Sequence, residues 1–165
     1  MELRRVFALL VLTMLGVAGC AGHRTLETKS AVVPAGVDLS GRWRLREDIG
    51  DSKRGEETLV HLFLTTGKNL KITQTNAGLF ISFDRAIVEE YRFGENREVH
   101  VGEAVAQRAS GWEGDAYLIE TLDEDDALLT ETYRLADGGK TLVRTIRITD
   151  GKNTILDVRQ TFDRV

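Results

Sequence analysis

Residues 127–150 read ALLTETYRLADGGKTLVRTIRITD, and this stretch decides the fold. In its first half the odd positions are Ala127, Leu129, Glu131, Tyr133 and Leu135. In its second half the even positions are Leu142, Arg144, Ile146 and Ile148. Apolar residues recurring every second position mark half-buried strands. The glycines between the two rows supply a tight reversal, so the segment is expected to form an antiparallel hairpin. With the connection placed at Ala136-Asp137-Gly138-Gly139, Leu135 pairs with Lys140. Tyr133 then faces Leu142, Glu131 faces Arg144 and Leu129 faces Ile146. A slip of one residue would turn one apolar row outward, so the two rows share a face only in this parity. Register and burial together put Glu131 next to Arg144 inside the fold. Such a pair is either a structural ion pair or a polar anchor for a ligand head group.

The same pattern extends in both directions. Strands are expected at Gly41–Glu47, Leu59–Thr65, Leu70–Thr75, Leu79–Asp84, Ile87–Phe93, Glu98–Val101, Val105–Trp112, Ala116–Leu122, Ala127–Leu135, Thr141–Thr149 and Thr154–Phe162. Turn signals separate them at Gly67-Lys68-Asn69, Asn76-Ala77-Gly78, Gly94-Glu95-Asn96, Asp137-Gly138-Gly139 and Asp150-Gly151-Lys152. Between Asp84 and Arg92, Asp84 could instead cap one short helix. Many short strands joined by hairpin-sized loops imply an all-β fold, an up-and-down antiparallel barrel of about eight to ten strands. Closure removes the exposed sheet edges. The residues from Asp38 onward are numerous enough to bury about two-thirds of their unfolded surface, so a core forms without disulfides.

The expected first strand of the barrel opens Gly41-Arg42-Trp43. This resembles the Gly-x-Trp that opens lipocalins and related calycins. The resemblance implies that Trp43 closes one end of a barrel, packed by an arginine from the last strand, for which Arg159 and Arg164 are candidates. There is no Thr-Asp-x-Tyr segment and no helical pattern after the last strand, so what is implied is a short lipocalin-like domain.

The N-terminus has a separate character. Arg4 and Arg5 precede an almost continuously apolar run, Val6 to Ala18, which is too short for a membrane-spanning helix and fits a signal-peptide core. The run ends Val17-Ala18-Gly19-Cys20, which resembles the lipobox of bacterial lipoproteins. That resemblance implies cleavage before Cys20 and acylation there, with the acyl chains as the membrane partner. Ala21 in place of aspartate implies the outer membrane, facing the periplasm. Loss of Glu2, Arg4 and Arg5 would take the net charge from −4 to −5. The expected division is a signal peptide at 1–19, a lipidated flexible tether at 20–37 and a barrel at 38–165. The tether contains the single proline, Pro34. Its alternative is an edge strand at Ala31–Val33.

Composition narrows the function. Hydrophobic residues make up 42% and charged residues 29%, which excludes global disorder. The acidic balance disfavours a nucleic-acid partner. One cysteine excludes an internal disulfide framework. His23, His61 and His100 have no partners at metal-ligand spacing, and no nucleophile, phosphate-loop or dinucleotide motif is present. Neither an enzyme, a cofactor nor a metal site is expected. Asp123-Glu124-Asp125-Asp126 lacks the glycine-centred spacing of a calcium loop and reads as a solvated turn. The expected function is a membrane-anchored barrel that binds a small apolar or amphipathic ligand. Its pocket would be lined by Ile81, Phe83, Leu129, Tyr133, Ile146 and Val158, with Glu131 and Arg144 as polar floor or rim and Trp43 at the closed end. The alternative is an envelope interaction protein with a filled barrel.

Overall fold

The computed structural model describes residues 24–52, 67–84, 87–101 and 104–165. Among the described residues ten strands form one antiparallel sheet: β1 (Gly41–Ser52), β2 (Asn69–Gln74), β3 (Gly78–Phe83), β4 (Ile87–Arg92), β5 (Glu95–Val101), β6 (Ala104–Glu113), β7 (Ala116–Asp123), β8 (Ala127–Ala136), β9 (Thr141–Asp150) and β10 (Asn153–Arg164). The spatial order is β4-β3-β2-β1-β10-β9-β8-β7-β6-β5. Every pair is a sequence neighbour except β1 with β10, and that pair turns the meander into a nearly closed barrel. Among the described residues the only helical element is a single 3-10 turn, Asp137–Gly139. Cys20 and the signal segment, and the strand expected at Leu59–Thr65, lie outside the described residues.

The alternation of the sequence becomes the barrel wall. Leu70 and Ile72 on β2, Leu79, Ile81 and Phe83 on β3, Tyr133 on β8, Leu142 on β9 and Phe162 on β10 all point inward and are buried. With Trp43, Trp112 and Tyr117 they fill the closed half of the interior. β1 carries a bulge between Leu45 and Glu47. A bulge inserts one extra residue and bends its strand. Before it Trp43 and Leu45 share a face with the inward residues of β10; after it Asp48 and Gly50 do, opposite Gln160 and Val158.

Several expectations are corrected. First, β8 and β9 pair two residues away from the expected register: Tyr133 lies opposite Arg144, Glu131 opposite Ile146 and Leu129 opposite Ile148. The loop is Asp137-Gly138-Gly139-Lys140, closed by the Ala136–Thr141 pair. Its turn places Asp137, Gly138 and Gly139 at φ of 50°, 64° and 85°, left-handed conformations that glycine adopts at no cost. A shift by two keeps every side chain on its face, so hydrophobic alternation fixes parity and leaves the register to the loop. Second, Asp84 caps no helix. Its carboxylate accepts the backbone N–H groups of Lys68 and Asn69 at 3.2 and 3.0 Å and so holds the entry to β2, while Ile87–Arg92 is strand. Likewise β5 begins at Glu95, so the turn expected at Gly94-Glu95-Asn96 is Phe93-Gly94.

Third, the expected free tether is a strap over 24–37. Leu26 is buried on the outside of the wall against Ala109, Leu122 and Leu128. Its N–H donates to Gln107 Oε1 at 3.0 Å, and its carbonyl accepts from Asn96 Nδ2 at 2.9 Å. Lys29 bridges Glu113 and Glu120 at 2.7 and 3.0 Å, and these carboxylates raise its pKa against the opposing effect of burial. Ser30 and Trp112 exchange two backbone hydrogen bonds, of 2.8 and 3.3 Å. No strand forms at Ala31–Val33; a single bridge at Ser30 stands there instead. The chain then crosses the closed end, where Val33 and Val37 pack on the core and Leu39 is fully buried. Gly111 permits this approach: a Cβ there would lie 2.5 Å from Ser30 O.

Candidate functional site

The closed end is built on Trp43. Its indole Nε1 donates to Leu39 O at 3.1 Å, and the Arg164 guanidinium stacks on its ring at 4.2 Å. Arg164 is fixed by two carbonyls, Ser40 O at 2.6 Å and Gly139 O at 2.8 Å. Of the two arginine candidates Arg164 therefore packs on the tryptophan, whereas Arg159 is exposed. Cation–π stacking of this kind contributes on the order of 1 kcal/mol.

Above this plug runs a polar belt. Arg144 and Glu131 are both buried, 2% and 5% exposed. Arg144 Nη2 and Nε donate to the same Glu131 oxygen at 2.5 and 3.0 Å, and the Tyr133 hydroxyl donates to it at 2.9 Å. Arg144 Nη1 donates to Gln160 Oε1 at 3.2 Å, and Gln160 Nε2 donates to Asp48 Oδ2 at 3.3 Å. The belt thus links four adjacent strands, β8, β9, β10 and β1. The guanidinium also lies over the rings of Phe83 and Tyr133, at 4.9 and 5.6 Å. Burial opposes the Arg144 charge, but Tyr133 and Glu131 outweigh it and raise its pKa. Burial, with the nearby Glu131 carboxylate, drives the Tyr133 hydroxyl well above its ordinary value despite the opposing Arg144 charge. It remains a donor.

Across the lumen stands Glu89 on β4, which accepts a hydrogen bond from the Tyr91 hydroxyl. Burial, then the Glu131 charge, raises its pKa, while Arg108 and Arg144 oppose the rise. Beyond the belt a second apolar group, Ile146, Leu156 and Val158 with Leu129 and Ile148, lines the other half of the interior.

The residues expected to line one pocket therefore divide. Trp43, Ile81, Phe83 and Tyr133 belong to the packed closed half. Leu129, Ile146 and Val158 line the opposite half. Glu131 and Arg144 stand between them and bond each other, diagonally across the ladder rather than directly opposite. Gln160, Asp48 and Glu89 were missed. Gln160 carried a legible signal, because it interrupts the apolar row Leu156, Val158, Phe162 just as Glu131 and Arg144 interrupt theirs. Asp48 did not, because the β1 bulge brings it inward.

A separate groove of about 600 Å³ lies on the outer wall of β1 to β4, lined by Arg42, Arg44, Lys71, Phe80 and Val88 among others. Lys71 and Phe80 alternate with the inward Leu70, Ile72 and Ile81, so this groove is outside the barrel.

A ten-stranded up-and-down antiparallel barrel, plugged at one end by a tryptophan–arginine stack, is the lipocalin- and fatty-acid-binding-protein-like calycin fold. Among solved structures it is similar to lipid binding protein 8 of Caenorhabditis elegans, with 14% identity, TM-score 0.55, and 77% of this chain and 95% of that one covered. It is similar to a Schistosoma mansoni fatty acid binding protein in complex with arachidonic acid, with 13% identity, TM-score 0.52 and coverage of 77% and 96%. It is also similar to a zebrafish ileal bile acid-binding protein complexed with cholic acid, with 14% identity, TM-score 0.51 and coverage of 77% and 98%. No protein-family model and no curated protein matches the chain.

Proposed function

We propose that this chain is a lipid-anchored protein of the bacterial envelope whose barrel holds a small apolar or amphipathic ligand. The observation that carries the reading is the buried belt of Glu131, Arg144, Tyr133 and Gln160, set between two apolar halves of the barrel interior. A filled β-barrel gains stability from apolar packing, and a buried ion pair is a poor substitute for it. A mostly apolar interior with a few fixed polar groups is the lining that small-molecule sites have. The half lined by Leu129, Ile146, Ile148, Leu156 and Val158 is where its chain would lie. The fold neighbours support the class of ligand, since two of them are complexes with arachidonic acid and cholic acid. The lipobox-like Val17-Ala18-Gly19-Cys20 supports the anchor at Cys20, and Ala21 in place of aspartate supports the outer membrane, facing the periplasm.

A fluorescent fatty-acid probe should bind the purified protein with micromolar affinity or better, about −8 kcal/mol. Native mass spectrometry should show a co-purified small molecule that denaturation releases. Lack of binding across fatty acids, bile acids and apolar dyes would defeat the carrier reading. The second reading, an envelope interaction or structural protein, draws on the packing of the closed half around Trp43, Tyr133 and Phe162.

A further inference from the structure

The sheet has one unpaired seam. β4 and β5 are consecutive in the chain, yet they stand at opposite ends of the strand order and share no ladder. At the closed end the seam is stitched. Ser110 Oγ on β6 donates to Arg92 O on β4 at 2.9 Å, and Phe93 stacks on Trp112 and Tyr117 at 5.6 and 5.5 Å. Farther up, side chains fill it. Arg108 on β6 points inward between Ala106 and Ser110, its guanidinium over the Tyr91 ring of β4 at 5.2 Å. Arg97 on β5 is directly opposite Arg108, so two like charges share one face of a strand pair. That arrangement is destabilising unless something compensates it. Arg97 is compensated, by Glu95 at 3.0 Å. Among the described residues Arg108 makes neither an ion pair nor a hydrogen bond, and its Nε is buried without an acceptor. Glu95 Oε1, across the same strand pair, is buried without a donor.

Orphaned buried donors and acceptors are rare and call for a missing partner. Arg144 does not invite one, since Nε and both Nη groups already bond Glu131 and Gln160. Arg108 does. We propose that the seam between β4 and β5 is the head-group site of the barrel, where Arg108 holds the carboxylate of a single-chain amphiphile. This inference rests on the carrier reading above and assigns its polar end. The carboxylate supplies the guanidinium's missing partner through a charge-assisted bond to Nε. One water carried with it bridges to Glu95 Oε1. Glu89 stands near Arg108 as the other facing carboxylate, and its own hydrogen bond comes from Tyr91. Arg144 and Glu131 then serve as the fixed floor of the lumen, not as ligand contacts.

The test compares laurate with dodecanol, which has the same chain without the charge, as competitors for a fluorescent probe. Wild-type protein should bind laurate at least about tenfold more tightly, the range expected of a hydrogen bond to a charged group. In Arg108→Met the preference should collapse to within about threefold, with dodecanol affinity kept, while Arg108→Lys should retain part of it. Equal binding of the two ligands by wild type, or a preference that survives Arg108→Met, overturns the assignment and leaves the carrier reading standing. Failure of both ligands to displace a bound probe likewise overturns the assignment, whereas failure of the probe itself to bind counts against the carrier reading. If Arg108→Met does not fold, the side-chain Nε–Hε signals of wild-type arginines decide. Laurate should shift that of Arg108, dodecanol should not, and a laurate shift at Arg144 in its place refutes the proposal.

Discussion

Breaking the buried pair on one side should be among the most damaging single changes in the barrel. Glu131 is 5% exposed and Arg144 is 2% exposed, so neither can turn to solvent when its partner is lost. In Glu131→Gln the guanidinium keeps Gln160 and two aromatic rings but loses its bonded carboxylate; the nearby Glu89 acts on it only from a distance. In Arg144→Met the carboxylate keeps only the Tyr133 hydroxyl among its present donors. Each should cost about 3–5 kcal/mol, the usual loss when a buried charge is stranded. Against a domain stability of about 5–15 kcal/mol this is about a fifth of the total or more. With a urea slope of about 1–3 kcal/mol per molar, the midpoint should fall by roughly 2 M. The double variant Glu131→Gln/Arg144→Met should cost no more than the worse single one, giving a coupling of at least about 3 kcal/mol. Replacing both with apolar residues, Glu131→Leu/Arg144→Met, should recover most of the loss. The assay is equilibrium urea unfolding followed by tryptophan fluorescence. Additive single costs, or single costs below about 1 kcal/mol as in exposed pairs, would refute the buried contact.

Glu89 gives a pH test. Its pKa is raised in the fold, so the native state holds its proton more tightly than the unfolded chain. Its stabilising contribution is full below the unfolded value and is lost as pH rises through the folded one. Glu89→Gln should therefore raise stability at neutral pH and flatten that decline; an unchanged pH profile would argue against it. Arg164→Ala should cost about 1–2 kcal/mol through the lost stacking and carbonyl bonds, read by thermal unfolding with a shift in Trp43 fluorescence. The strap should show slow amide exchange at Ser30 and Trp112, and Gly111→Ala should speed it by pushing Ser30 O away. Equal exchange rates in both proteins would mean that the strap is not held there. Changing Cys20→Ser should leave an unprocessed, unlipidated precursor in a bacterial host; a mature form beginning anywhere else would defeat the anchor.

Much of this was written in the chain itself. Alternation placed Leu129, Tyr133, Leu142 and Ile146 on the inner face and brought Glu131 and Arg144 into contact, because side-chain direction in a strand has a period of two residues. Glycine with asparagine or aspartate marked most of the reversals, and Gly-x-Trp marked the closed end. Register was a tertiary matter: parity survives a shift by two, and the left-handed turn at Asp137, Gly138 and Gly139 chose between the alternatives. The strap was invisible as an element because it has no period; it docks as irregular chain through Leu26, Lys29 and Ser30. Its receiving surface was legible only in hindsight, as apolar Leu122 and Leu128 on the outward side of their strands. Asp48 entered the belt through a bulge, and Arg108 faces an unpaired seam only because β4 and β5, neighbours in the chain, became the two ends of the sheet. Local sequence sets which way a side chain points, whereas only closure of the whole barrel sets what it meets.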